Sequence, residues 1–312
     1  MTGNETIDAV IPVYRPGEEF TKLISMLKQQ KKPVRRIILM VTAAPGDEVP
    51  SFLEDPGIVV QTLLPEEFDH GNTRNRGVSL SDADYVLLLT QDAVPADGRL
   101  TEALLQAFRE PLVASAYARQ LPKADCRSIE AFTRGFNYPE DSFVKSGEDL
   151  PRLGVKTYFC SNVAAMYDRR VMEELGGFTK HTIFNEDMIY AYEVIRNGYR
   201  IAYAADAKVY HSHNYSGREQ LHRNFDLAVS QADHPEIFRA VSSEKEGLGL
   251  VKKTVRHLFS VGKWYEVPLL FYQSGMKYAG YFLGKRYRRL PKKLVRRLSM
   301  NQNYWEESNG TD

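Results

Sequence analysis

Residues 85–95, YVLLLTQDAVP, decide the fold. Val86 to Leu89 are apolar without a break, and Thr90, Gln91 and Asp92 end the run in polar side chains. A short apolar run closed this way is the pattern of a parallel strand buried on both faces. In an open α/β sheet, ligands bind beyond the carboxyl ends of such strands, and Asp92 is delivered there. A carboxylate at that place suits Mg²⁺ or Mn²⁺ bridging to a diphosphate. Asp92 would equally serve as a turn residue ahead of Pro95.

On both sides of this strand the chain alternates. Residues 7–14, 34–42, 58–63 and 112–117 read as strands; 18–30, 72–81 and 100–109 read as helices. Alternation of this kind predicts an α/β, Rossmann-like, mostly parallel sheet flanked by helices. Residues 137–157 have no clear period and read as a loop or lid. The first crossover turn, Tyr14-Arg15-Pro16-Gly17, lacks the GxGxxG of a dinucleotide fold. No P-loop and no GxSxG elbow occurs either, which argues against NTPases and serine hydrolases.

A chain of 312 residues holds one large α/β domain and an appendage. A net charge of +1 gives no overall attraction to nucleic acid. Two cysteines are too few for a disulfide framework and fit a reducing compartment. The opening MTGNETID lacks the basic and apolar regions of a signal peptide, so none is expected. No apolar run is long enough for a transmembrane helix.

Three further clusters are site candidates. Residues 68–77, FDHGNTRNRG, gather Asp69, His70, Asn72, Arg74, Asn75 and Arg76 around a glycine. Forked guanidinium groups and amides near a helix start suit a sugar or a phosphate. A capped helix with solvated arginines is the plainer alternative. Residues 182–190, TIFNEDMIY, put Glu186 and Asp187 at the start of an apolar-periodic helix. One of these carboxylates in a cleft would be a general base, although the helix dipole alone also favours acids there. In 209–215, VYHSHNY, His211 and His213 alternate; on a strand both would face one side, and one could ligate a metal.

The C-terminal part is asymmetric in charge. Residues 264–284 are rich in aromatic side chains, and 285–297, KRYRRLPKKLVRR, are basic throughout without an acid. Aromatic residues beside Lys/Arg clusters fit a membrane interface. Glu266, Pro268 and Lys277 interrupt the apolar part, so it is expected to lie on an anionic leaflet, not to span it. The alternative is a packed helix with a solvated basic face. The aromatic residues precede the basic block and do not interleave with it, unlike a nucleic-acid platform. The domain expectation is therefore a catalytic domain over 1–244 and a helical, aromatic and basic membrane-associating extension over 245–312.

In order along the chain, VIPVYRP, FDHGNTRN, the strand ending TQD, Gly176-Gly177-Phe178, Asn185-Glu186-Asp187 and the two histidines resemble the family 2 glycosyltransferases with the glycosyltransferase A fold. The match runs over roughly residues 5–230 and is most similar to the bacterial rhamnosyltransferases, where FDHG-x-TRN precedes an Asp-Gln-Asp strand end. The resemblance implies an inverting enzyme. It would move a sugar, rhamnose from dTDP-rhamnose, onto a hydroxyl of a growing cell-surface polysaccharide or lipid-linked glycan. The site would be cytoplasmic, on the inner face of the membrane. Asp92, with His211 or His213, would hold Mg²⁺ or Mn²⁺ at the donor diphosphate. Asp187 would be the general base, with Glu186 beside it. Pro12, Tyr14, Arg74, Asn75, Thr90, Gln91 and Asp92 would surround the donor. Two positions depart from the family pattern. Thr90 stands where the first Asp of Asp-x-Asp is usual, and Val41-Thr42-Ala43-Ala44 replaces the acid that meets the nucleobase, leaving that role to Asp47 or the backbone. The competing classes are a non-catalytic sugar-nucleotide-binding or membrane-bound assembly subunit of a polysaccharide machine and a metal-dependent hydrolase. No three-ligand spacing supports the hydrolase.

Overall fold

The computed structural model describes residues 4–47, 55–238 and 244–305. The strands are β1 Ile7–Val13, β2 Arg36–Thr42, β3 Ile58–Leu63, β4 Tyr85–Leu89, β5 Val94–Pro95, β6 Val113–Leu121, β7 Phe143–Lys145, β8 Ala164–Asp168 and β9 Arg200–Tyr210. The helices are α1 Glu18–Lys28, α2 His70–Ser79, α3 Leu100–Ala107, α4 Ser128–Asn137, α5 Leu150–Leu153, α6 Arg169–Glu174, α7 Glu186–Arg196, α8 Gly217–Asp233, α9 Pro235–Phe238, α10 Glu244–Ser260, α11 Val267–Gly284 and α12 Lys292–Leu298. The chain forms two units. The first holds Met1–Leu121, Tyr138–Lys180 and Glu186–His211; the second holds Pro122–Asn137, His181–Asn185 and Ser212–Asp312.

The first unit is built on one sheet of order β3-β2-β1-β4-β8-β6-β9-β5, with β7 also on β9. β4 sits inside it, and Val86 to Leu89 are each 0% exposed, as a strand buried on both faces requires. α1 shows how a covering helix is encoded. Phe20, Leu23, Ile24 and Leu27 make its buried stripe, Glu18 and Glu19 stand in its first turn, and Lys28 in its last.

The sheet is mixed, where the alternation predicted a mostly parallel one. β3, β2, β1 and β4 are parallel neighbours, but β8 runs antiparallel to both β4 and β6. The consequence for function is geometric. Because β8 opposes both flanks, β4 and β6 point the same way, and β9 is parallel to β6. The carboxyl ends of β1, β2, β4, β6 and β9 therefore share one edge, where β8 begins.

The second unit is helical. α11 lies on α8 through Gly280 and Gly284, where a Cβ would stand 2.2 Å from the Leu221 carbonyl oxygen and 2.3 Å from that of Phe225. Two glycines four residues apart let the backbones approach this closely. Phe225 and Val229 of α8, with Ile183 and Val295, form one core; Ile129, Leu258 and Leu270 form another. The contact boundary of this unit thus includes α4 and α8 and does not start at residue 245. Among the described residues, no helix is long and apolar enough to cross a membrane.

Candidate active site

β4 ends at Leu89, and the next three residues each take a separate role. The Thr90 N–H donates to the Val163 carbonyl at 3.2 Å, while Thr90 Oγ1 is buried and has no hydrogen-bond partner among the described residues. Gln91 clamps the end of β1: its Oε1 accepts from the Tyr14 N–H at 2.8 Å and its Nε2 donates to the Tyr14 carbonyl at 2.9 Å. Both ends of the Gln91 amide, expected at the donor, are engaged in this clamp. What it presents is the Tyr14 ring, 49% exposed, with the Arg15 guanidinium 5.1 Å from its centre. Pro12 lies within β1 opposite Met40 of β2.

Asp92 follows in a tight turn, closed by the Ala93 N–H on the Thr90 carbonyl. Val94 then pairs with Tyr210, which brings Asp92 to the end of β9. Asp92 Oδ2 stands 3.5 Å from His211 Nε2. The other ring nitrogen, Nδ1, lies 3.0 Å from Gln120 Oε1. Gln120 Nε2 donates to Tyr138 Oη at 2.6 Å and Ser161 Oγ at 3.1 Å. An amide oxygen only accepts, so Nδ1–H donates to it, and a neutral ring then carries its lone pair on Nε2, towards Asp92. β9 stops at Tyr210, so the two histidines lie just beyond the strand and not on it. His211 is buried, and His213, two residues on, is half-buried. Asp92, His211 and His213 are the group among the described residues whose ligand atoms come close enough to hold a metal ion. A carboxylate with imidazole nitrogen is a donor set that divalent transition ions accept.

The acids of the Asn-Glu-Asp run separate into two environments. Asn185 takes φ 63°, a left-handed backbone that Asn tolerates, and α7 starts directly after it. Glu186 is buried; Arg74 Nη1 lies 3.2 Å from its Oε1, and Asn162 Nδ2 donates to the same oxygen at 3.2 Å. Burial opposes its charge, but Arg74, His70 and Asn162 outweigh burial and hold its pKa below the usual value. Asp187 is only half-buried. It accepts from the Asn162 N–H at 3.2 Å and from the Met188 N–H at 2.8 Å. Desolvation and then the Glu186 charge push its pKa up to about 7. One carboxylate is thus held as an anion, and its neighbour has a pKa near neutrality.

The FDHGNTRN cluster, expected to meet the donor, turns inward. Asp69 caps α2 by accepting from the Asn72 N–H at 2.6 Å. A Cβ on Gly71 would lie 1.9 Å from the Thr179 carbonyl oxygen, so only glycine allows this contact. Arg74, 5% exposed, faces Glu186 and donates to the His70 carbonyl at 2.8 Å. Asn75 holds Phe178 at both ends, donating to its carbonyl at 2.8 Å and accepting from its N–H at 2.9 Å. Asp47, considered for the nucleobase, accepts from the Ala44 N–H at 2.9 Å and closes its own turn.

Three residues that matter here were not singled out in the sequence. Gln120 carries a signal, a lone amide in the buried strand β6. Asn162, which holds both acids, carries none. Lys145 is 1% exposed and donates to the carbonyls of Lys156 and Phe159, which lie just before Ser161 and Asn162. Burial lowers its pKa to about 7.

Parallel strand ends carrying a metal-competent Asp and His, near a carboxyl whose pKa lies close to neutrality, are an arrangement suited to group transfer. The chain matches Glycosyl transferase family 2 over residues 8–176 and belongs to that family; it is a glycosyltransferase. It is 38% identical over 301 residues to the O-antigen chain rhamnosyltransferase RfbN of Salmonella typhimurium, covering 96% of each chain. It is 36% identical to the O-antigen chain rhamnosyltransferase WbaN of Salmonella anatum, covering 95% of this chain and 94% of that one. Among solved structures it resembles the mannosyltransferase PcManGT from Pyrobaculum calidifontis in complex with GDP-Man and Mn²⁺. The TM-score is 0.56 at 14% identity, over 98% of this chain and 86% of that one. It also resembles S. aureus TarS 1-349 in complex with UDP-GlcNAc, with a TM-score of 0.52 at 14% identity, over 91% of each chain. The fold is the glycosyltransferase A fold.

Proposed function

We propose that this enzyme transfers rhamnose from dTDP-rhamnose, with inversion, to a hydroxyl of a growing cell-surface polysaccharide or lipid-linked glycan. The two rhamnosyltransferase relatives, matched over nearly their whole length, support the sugar. The observation that carries the chemistry is the divided acid pair. Asp187 is half-buried, and desolvation, then the negative charge of Glu186 beside it, raise its pKa to near neutrality; Arg74 pairs with that Glu186. Asp187 takes the proton of the acceptor hydroxyl as that oxygen attacks the anomeric carbon in line with the departing diphosphate. A single displacement needs no covalent nucleophile.

Asp92, His211 and His213 would hold the divalent ion. When bound, the ion neutralises charge developing on the leaving diphosphate. The imidazole nitrogens favour Mn²⁺ over Mg²⁺, which prefers an all-oxygen shell. Thr90 Oγ1 and the Tyr14 ring are left for the donor; Arg74, Asn75 and Gln91 serve the scaffold. The second unit docks the enzyme on the anionic cytoplasmic leaflet, where a lipid-linked acceptor is presented. Trp264, Tyr265 and Phe271, 62%, 62% and 58% exposed, support this. The test is acceptor-dependent dTDP release, with and without Mn²⁺, across a panel of nucleotide sugars. Release from dTDP-rhamnose alone supports the proposal. Binding without turnover would make the chain an assembly subunit.

A further inference from the structure

We propose that the second unit holds a binding pocket for the terminal phosphate of a membrane lipid, at the C-terminal end of α11. A cavity of about 740 Å³ opens there, walled by Tyr278, Tyr281 and Phe282 and fringed by Lys285, Arg286 and Arg289. This assignment rests on the membrane-docking reading above and goes beyond it by naming a site and a headgroup chemistry.

Charge pairing separates the cations around the cavity. Arg288 is compensated, donating to Asp233 at 2.7 Å, and Tyr287 Oη donates to the same carboxylate oxygen at 2.6 Å. Lys285, Arg286 and Arg289 have no carboxylate partner among the described residues. Lys285 is half-buried and Arg286 and Arg289 are exposed; three like charges around one cavity attract an anion. The C-terminal carbonyls of α11 meet little of that need; Arg286 Nη1 donates to the Phe282 carbonyl at 3.2 Å, which leaves its other N–H groups for a ligand. The Arg286 guanidinium lies 3.8 Å from the centre of the Phe282 ring, and Lys285 Nζ 5.5 Å from that of Tyr281. These ring contacts restrain Arg286 and Lys285 before any ligand arrives. A terminal phosphate, with its three acceptor oxygens, is the anion such a fork pairs with best.

The surface next to the cavity identifies the source as a lipid. Phe271, Tyr278 and Phe282 are 58%, 60% and 42% exposed. At spacings of seven and four they fall on one face of α11, and Lys285 continues that line. Leu270, Gln273, Gly280 and Gly284 are the buried residues on the other side. An aromatic ridge leading to a cationic fork fits a helix lying in the interface, with rings among acyl chains and cations at phosphate depth. A soluble phosphate would need the fork but not the ridge.

The test uses the full-length protein and vesicles of neutral lipid doped, at equal surface charge, with phosphatidic acid or with phosphatidylserine. Only the first presents a terminal phosphate. Wild type is expected to bind the phosphatidic acid surface about tenfold more tightly. Arg286→Gln/Arg289→Gln should lose that preference and keep weaker binding to both surfaces. Lys293→Gln/Arg297→Gln, which removes the same charge elsewhere, should keep the preference. Equal wild-type binding to both lipids, or a preference surviving in the pocket variant, overturns the pocket and leaves membrane docking standing. Failure to bind either vesicle overturns both readings. Inorganic phosphate binding as tightly as the phosphatidic acid surface overturns the lipid assignment.

Discussion

Arg74 Nη1 lies 3.2 Å from Glu186 Oε1, joining α2 to the first residue of α7 between two side chains almost closed to solvent. This contact makes Arg74, read in the sequence as a donor contact, the partner of one of the two acids proposed to carry the chemistry. Removing Arg74 would leave a buried carboxylate uncompensated. Arg74→Ala should lower unfolding stability by about 3–5 kcal/mol, and Glu186→Gln in the same chain should recover part of the loss. Urea unfolding of the two variants checks this; additive losses in the double variant would count against a direct pair.

The pH profile follows from the raised pKa of Asp187. A carboxyl pushed up to about 7 is protonated below that value and basic above it. Turnover at saturating metal should therefore rise about tenfold per pH unit on the acid side and level off above neutrality. Glu186→Gln removes the neighbouring charge, so the midpoint should move to lower pH. A midpoint that stays in place would leave desolvation alone as the cause.

Metal affinity should depend on a residue that does not touch the metal. Gln120 accepts from His211 Nδ1 and so presents Nε2 towards Asp92. Gln120→Leu should weaken Mn²⁺ binding by about 10–100-fold with the fold intact, read by titration with electron paramagnetic resonance. Asp92→Ala should abolish binding. Unchanged affinity in the Gln120 variant would mean that the ring is oriented by something else.

The extent of the second unit makes a cut at residue 245 harmful. Such a cut removes α10, α11 and α12 and uncovers Phe225 and Val229 of α8. The shortened chain should aggregate on expression, with a loss of monomer in size-exclusion chromatography. A soluble, donor-binding fragment would show instead that 1–244 folds alone.

β4 was legible because its burial on both faces is written as an unbroken apolar run, and the polar residues that close the run put Asp92 just past its end. The acids of α7 were legible as a pair, but not their two environments, which depend on Arg74 and Asn162 arriving from distant parts of the chain. Asn75 and Gln91 were read as donor contacts because an amide looks the same whether it faces a ligand or a backbone. Their partners lie 103 and 77 residues away. β8 was missed because Ala164-Ala165-Met166-Tyr167-Asp168 has no strong strand pattern and owes its pairing to the strands on either side.

The most direct measurement is the anomeric configuration of the product, read by NMR, when the full-length enzyme acts on dTDP-rhamnose and a glycan acceptor with Mn²⁺. Inverted configuration, with turnover reduced by about 10²-fold or more in Asp187→Asn while donor binding survives, is the expected result. Retained configuration, or near-normal turnover in Asp187→Asn, would contradict a single displacement driven by Asp187.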